Sequence, residues 1–200
     1  MMHAMIPLCF TCLLSVGMDA NLLPLEEAQR YARVCVQQVG ALADAQIIIK
    51  ADTKKPCATL GEGGGAMVVP DEKLSVKKVQ EARELVPVGQ LWFRKWTTVI
   101  KNKPVPAERL RMVTIHVDDK DRPMALFLVG VRQKGKAGLE LVLYAQDNVP
   151  HLVLPLEKLM RDQELPVELE WQRGEKNSDS LIVKLVGKYH AVIPITRQGK

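Results

Sequence analysis

Apolar residues recur at helical spacing near the start of this chain and at alternating spacing over most of the rest. Leu25, Ala28, Ala32, Cys35, Val39 and Leu42 fall three or four positions apart, which lines one side of an amphipathic helix over 24–42. Tyr31 and Val34 widen that stripe. Pro24 suits a first helical turn, and Glu26 and Glu27 complement the positive end of the helix. A second, short helix is predicted over 75–84, with Ser75 as its N-cap and Val76 and Val79 turned inward.

Beyond residue 86 the period changes to two. The runs at 110–117, 123–131, 139–146, 151–156, 166–172, 180–186 and 190–196 read as strands, separated by short polar turns such as "DDKDR" and "RGEKNSD". Two further runs, "AQIIIKAD" at 45–52 and "GQLWFRKWTTVI" at 89–100, predict additional strands. Short strands at this spacing form an antiparallel sandwich or open barrel. Runs such as "ALFLV" are apolar on both faces and belong at the centre of a sheet covered on both sides. Pro155 and Pro194 suit edges or bulges. The expected fold class is α+β, an N-terminal amphipathic helix packed on a mainly antiparallel β-sandwich. Residues 1–17 read as a leader, 18–44 as a helical arm and 45–200 as the sandwich domain.

Composition changes this picture little. With 47% hydrophobic and 26% charged residues, the 200-residue chain has enough apolar surface for a real core and is not disordered. A net charge of +5 favours anionic partners without specifying one. It lacks the clustering expected of a nucleic-acid footprint, so a weakly basic nucleic-acid-binding domain is kept only as an alternative. Residues 4–16, "AMIPLCFTCLLSV", form an uncharged apolar run that suits a signal-peptide core and is too short to span a bilayer. Ser15, Val16 and Gly17 supply a small-x-small cleavage pattern, although "MMHAM" lacks the usual positive charge. The expected location is therefore periplasmic or secreted, with no membrane span in the mature chain. A start at Met18 would instead leave a cytoplasmic protein.

"ATLGEGGGAMVVP" at 58–70 has the look of a phosphate-binding loop. Such a loop needs Lys-Ser/Thr and then a helix, whose first N–H groups meet the phosphate. Here the glycines lead into a strand-forming run ended by Pro70. Gly61, Gly63, Gly64 and Gly65 therefore read as a hairpin turn, with a small-ligand lip as the alternative. In "LWFRKW", an unbroken strand places Trp92, Arg94 and Trp96 on one face. Such a row can make cation–π stacks worth about 0.5–1 kcal/mol each and, if the chain binds a ligand, is the expected surface for an anionic or carbohydrate-like envelope component. The preferred reading is structural, with both tryptophans closing the end of the core and Arg94 lying across them. "VDDKDRP" at 117–123 lacks the regular oxygen spacing and the glycine of a calcium loop and reads as a hairpin turn.

Catalytic chemistry has little to work with. His116, His151 and His190 lie on separate strands without metal-ligand spacing, no cofactor loop is present, and no G-x-S-x-G occurs. An enzyme would have to gather His116, His151 or His190 with Glu168 and Glu170, two carboxylates on one strand face. Cys9 and Cys12 fall in the leader. Cys35 and Cys57 form either a disulfide, worth about 3 kcal/mol for a loop of about 20 residues, or two buried thiols.

The stretches "GEGGGAMVVPDEKL" (61–74), "VPVGQLWFRKW" (86–96) and "LELVLYAQDNVPHLVLPLEKL" (139–159) resemble a set of short, secreted-looking planctomycete proteins of unknown function. That resemblance implies export and a helix-plus-sandwich domain, and it carries over no catalytic residue. The expected function is a non-catalytic binding or structural module of the periplasm or cell envelope, without cofactor or metal.

Overall fold

Strand pairing dominates the computed structural model, which describes residues 21–40, 42, 45–135, 138–174 and 179–198. The leader expected at 1–17, with Cys9 and Cys12, lies outside the described residues. Two helices, α1 (Leu25–Val39) and α2 (Val76–Gln80), accompany twelve strands. These are β1 (Cys57–Gly61), β2 (Gly64–Pro70), β3 (Val86–Arg94), β4 (Trp96–Ile100), β5 (Lys103–Pro104), β6 (Arg111–Val117), β7 (Lys120–Gln133), β8 (Leu139–Tyr144), β9 (Pro150–Lys158), β10 (Val167–Gln172), β11 (Asp179–Leu185) and β12 (Tyr189–Arg197).

All pairings are antiparallel, and one hydrogen-bonded path runs β1-β2-β3-β7-β8-β9-β12-β11-β10. Strand β6 pairs with β7, and β4 joins β12 to β5. The expected antiparallel sheet is therefore present, as one continuous sheet rather than two. It curls until its ends meet: the Leu169 N–H of β10 donates to Cys57 Sγ of β1 at 3.3 Å. The result is nearly a barrel.

Alternation along β7 shows why the sheet is apolar on both sides. Ala125, Phe127, Val129 and Val131 join the interior cluster with Leu91, Phe93, Leu141 and Ile193. Leu126 and Leu128 point the other way, into an outer cluster with Met67, Trp92, Ile115 and with Ala28, Ala32 and Cys35 of α1. Leu25, expected on the apolar stripe, is 46% exposed, and Leu23 just before the helix packs against the outer cluster instead. Helix α2 is shorter than expected, but Ser75 Oγ does accept the Lys78 N–H at 3.3 Å.

Two strand predictions need correction. Residues 45–52 form no strand; Ala51 makes an isolated bridge to Asp71. There the Asp71 carboxylate accepts the Lys50 and Lys73 N–H groups, both at 2.9 Å, so a side chain replaces a ladder. The run 89–100 breaks at Lys95, whose φ of 59° is left-handed. Pro155 and Pro194 fall where β9 and β12 have parted, since those strands pair only at Tyr189–Lys158 and His190–Glu157.

Candidate ligand-binding cleft

The break at Lys95 decides the fate of the expected Trp92–Arg94–Trp96 face. Up to Arg94 the strand alternates, so Trp92 faces the outer cluster while Leu91 and Phe93 face the interior. A left-handed residue reverses the alternation, and Trp96 enters the interior. The two tryptophans thus lie on opposite sides of the sheet, 0% and 1% exposed. Their indole N–H groups are buried without an acceptor among the described residues. They fill volume, and neither presents a ring to solvent.

The glycine run also has a packing explanation. Gly61 and Gly64 pair at the end of the β1–β2 hairpin, with Glu62 and Gly63 as its turn and Gly63 at φ 74°. Trp96 and Trp171 stack with centroids 6.4 Å apart and planes within 20°. A Cβ at Gly61 would come within 2.6 Å of Trp96 and 2.7 Å of Trp171, and one at Gly64 would collide with the Trp96 indole. Glycine lets the hairpin backbone lie against these rings. Across the turn, Glu62 takes an ion pair from Arg197 at 2.6 Å and from Arg173 at 3.0 Å, and its carbonyl accepts Arg197 Nε at 2.9 Å. A carboxylate held by two arginines leaves this loop tip poorly suited to an anion. Of this run, Gly65 lines the cavity beside α1.

Cys35 and Cys57 are free and buried. Cys57 belongs to the interior cluster and Cys35 to the outer one, so the sheet separates them and the disulfide alternative falls away. Burial pushes the Cys35 thiol up to about 12 and the Cys57 thiol up to about 11.

The histidines do not converge. His116 is exposed, with Nδ1 3.0 Å from Asp121. His151 Nε2 meets Thr98 Oγ1 at 2.9 Å, and burial, helped by the charge of Arg109, holds its imidazole below the ordinary value. His190 does lie in one cross-strand row with Lys184 and Glu168, since Lys184 pairs with both. Lys184, however, gives its ammonium to Glu170 at 2.6 Å, and Glu168 accepts the Glu164 N–H at 2.9 Å. Hydrogen bonds from Lys184, then Gln172, hold Glu170 below the usual carboxylate range. This row is an ion-paired strand surface. Among the described residues no three His, Cys, Asp or Glu side chains group to hold a metal.

What the fold does assemble is a cleft beside α1 that the residue pattern alone did not signal. Tyr31 and Cys35 of α1, Ala58 and Thr59 of β1, Met67 of β2, and Ile115, Val117 and Met124 of the β6–β7 hairpin line a cavity of about 180 Å³. The hairpin reaches α1 because Asp118 and Asp119, at φ 52° and 54°, make a tight two-residue turn. This confirms a turn in "VDDKDRP", although Lys120, Asp121 and Arg122 already belong to β7. Gln38 then clasps the outer edge of β6, its side chain donating to the His116 carbonyl and accepting the His116 N–H, both at 2.9 Å.

At the cavity mouth stand Arg94 and Arg122. Both also line a second hollow, about 320 Å³, with Lys95, Lys120, Asp121 and Pro123. Arg122 lies 5.9 Å from the Tyr31 ring centroid, opposite Arg30 at 4.8 Å, and its Nη2 is 3.8 Å from Asp118. Asp118 is drawn mainly to Arg30, at 2.7 Å, and that hydrogen bond holds its carboxyl below the usual range. Arg94 is half-buried, and its guanidinium has no ion-pair or hydrogen-bond partner among the described residues.

The cavity therefore couples an apolar body to a cationic rim. Comparison of the chain with protein-family models, with curated proteins and with solved structures finds no match. No helix among the described residues is long and apolar enough to cross a membrane.

Proposed function

We propose that this chain is an exported, non-catalytic binding module in which α1, docked on the antiparallel sheet, covers a small-ligand cleft. The observation that carries this reading is the cavity of about 180 Å³ bounded by Tyr31, Cys35, Ala58, Met67, Ile115 and Met124. An engineered apolar cavity of about 150 Å³ is enough to take up benzene, so a body of about six to eight carbon atoms fits here. Neither cavity borders His116, His151, His190, Glu168 or Glu170, which favours binding over catalysis. The apolar leader is what supports export.

Burying six methylenes is worth about 5 kcal/mol before the cost of association. A neutral probe such as 1-hexanol should then bind weakly, with a Kd no tighter than about 0.2 mM. Calorimetric titration should give one saturable site in the wild type. Ala58→Leu, which places a larger side chain at a buried cavity-lining position, should abolish it while leaving the fold intact. Equal binding by the wild type and Ala58→Leu would remove the cleft from the account.

A further inference from the structure

The cationic rim narrows the class of ligand, and this inference rests on the cleft described above. We infer that the ligand is an amphipathic anion, with a single apolar tail or ring in the α1 cleft and an acidic head on Arg94.

Charge complementarity is the argument. Arg94 borders both hollows, the apolar one beneath α1 and the polar one beside Lys95 and Lys120. A guanidinium is permanently charged and presents parallel N–H donors that match a carboxylate or phosphate. Among the described residues no acid lies within ion-pair distance of Arg94, although the Asp121 carboxylate also lines the second hollow. Asp118 is held by Arg30 and Arg122, Asp121 faces His116, and Glu62 is held by Arg173 and Arg197. Arg122 sits at the same mouth and adds positive charge only partly offset by Asp118.

Arg94 and Arg122 both border the cavity, so their positive potentials add where an acidic head would sit. The apolar lining continues directly from that point through Gly65, Met67 and Met124 to Cys35. Head and tail sites are therefore contiguous. A free inorganic anion would leave the apolar part empty, and a neutral hydrocarbon would leave Arg94 unpaired.

Three probes of eight carbons each separate the possibilities: octanoate, octyl phosphate and 1-octanol, titrated calorimetrically into the full chain. We expect at least one of the two anions to bind at least tenfold more tightly than octanol. Arg94→Gln should weaken that anion by roughly 10–100-fold, the range for losing a charged hydrogen-bond pair, and change octanol by less than about twofold. Arg94→Lys should restore part of the loss. Raising the salt concentration should weaken the wild type's affinity for the anion and leave octanol unaffected; this readout stands even where a variant folds poorly. Which anion binds more tightly distinguishes a carboxylate from a phosphate head.

If octanol matches both anions, and salt and Arg94→Gln change nothing, the anionic head is wrong while the cleft survives. If none of the three binds the folded wild type, both readings fall together.

Discussion

Single residues in this protein are chosen by what they touch. Gly64 is the clearest case, because any side chain there meets the Trp96 indole. Gly64→Ala should destabilise the fold by about 1–3 kcal/mol, the usual cost of forced overpacking, read as a lowered urea midpoint. A midpoint equal to the wild type would mean that the hairpin does not rest on that ring. The two thiols make a second prediction, on pH. Both lie well above the ordinary thiol value of 9.0, because burial disfavours the thiolate. The folded state thus keeps protons that the unfolded state releases. The stability this contributes is complete below pH 9.0 and is lost as pH rises through about 11 for Cys57 and about 12 for Cys35. The decline is at most about 1.4 kcal/mol per pH unit for each thiol. A Cys35→Ala/Cys57→Ala variant should show a shallower loss between about pH 9 and about pH 10.5. An unchanged slope would place the thiols in water.

At the scale of elements, the strands from β6 onward were legible because period-two runs there are cut by polar turns, and each turn lies close to where the spacing puts it. The break between β3 and β4 was not legible. Left-handed backbone is ordinarily signalled by glycine or asparagine, and here a lysine carries it, so "LWFRKW" reads as one unbroken strand. "AQIIIKAD" misled in the opposite sense. Its alternation is genuine, with Ile47 buried and Ile48 exposed, but the Asp71 side chain takes the Lys50 N–H, and backbone pairing is limited to a short bridge at 50–52 with 70–72. The cleft could not be read from sequence at all, since Arg94 and Arg122 come to line the same hollows only through the register of β3 on β7. Helix α1 completes that cleft, and its hold on β6 is open to a direct check. Gln38→Ala removes both bonds to the His116 backbone. It should speed amide exchange at His116 and cost about 1 kcal/mol; exchange at the wild-type rate would mean that α1 does not clasp the hairpin.

The whole molecule divides its labour between two sides of one sheet. The interior is apolar and packed, closed where β1 meets β10 by Cys57, by the stacked Trp96–Trp171 pair and by the ion pairs on Glu62. Gly61 and Gly64 of the glycine loop serve that seam by lying against its two rings. The outer side, beneath α1, keeps unfilled space and, among the described residues, an arginine side chain with no ion-pair partner. That division is the central claim, and amide chemical-shift mapping with octanoate tests it most directly. The account predicts saturable shifts confined to Tyr31, Cys35, Ala58, Thr59, Met67, Arg94, Ile115, Val117 and Arg122. Shifts centred on Trp171, Lys184 and His190, or no shifts at concentrations that saturate the calorimetric signal, would contradict it.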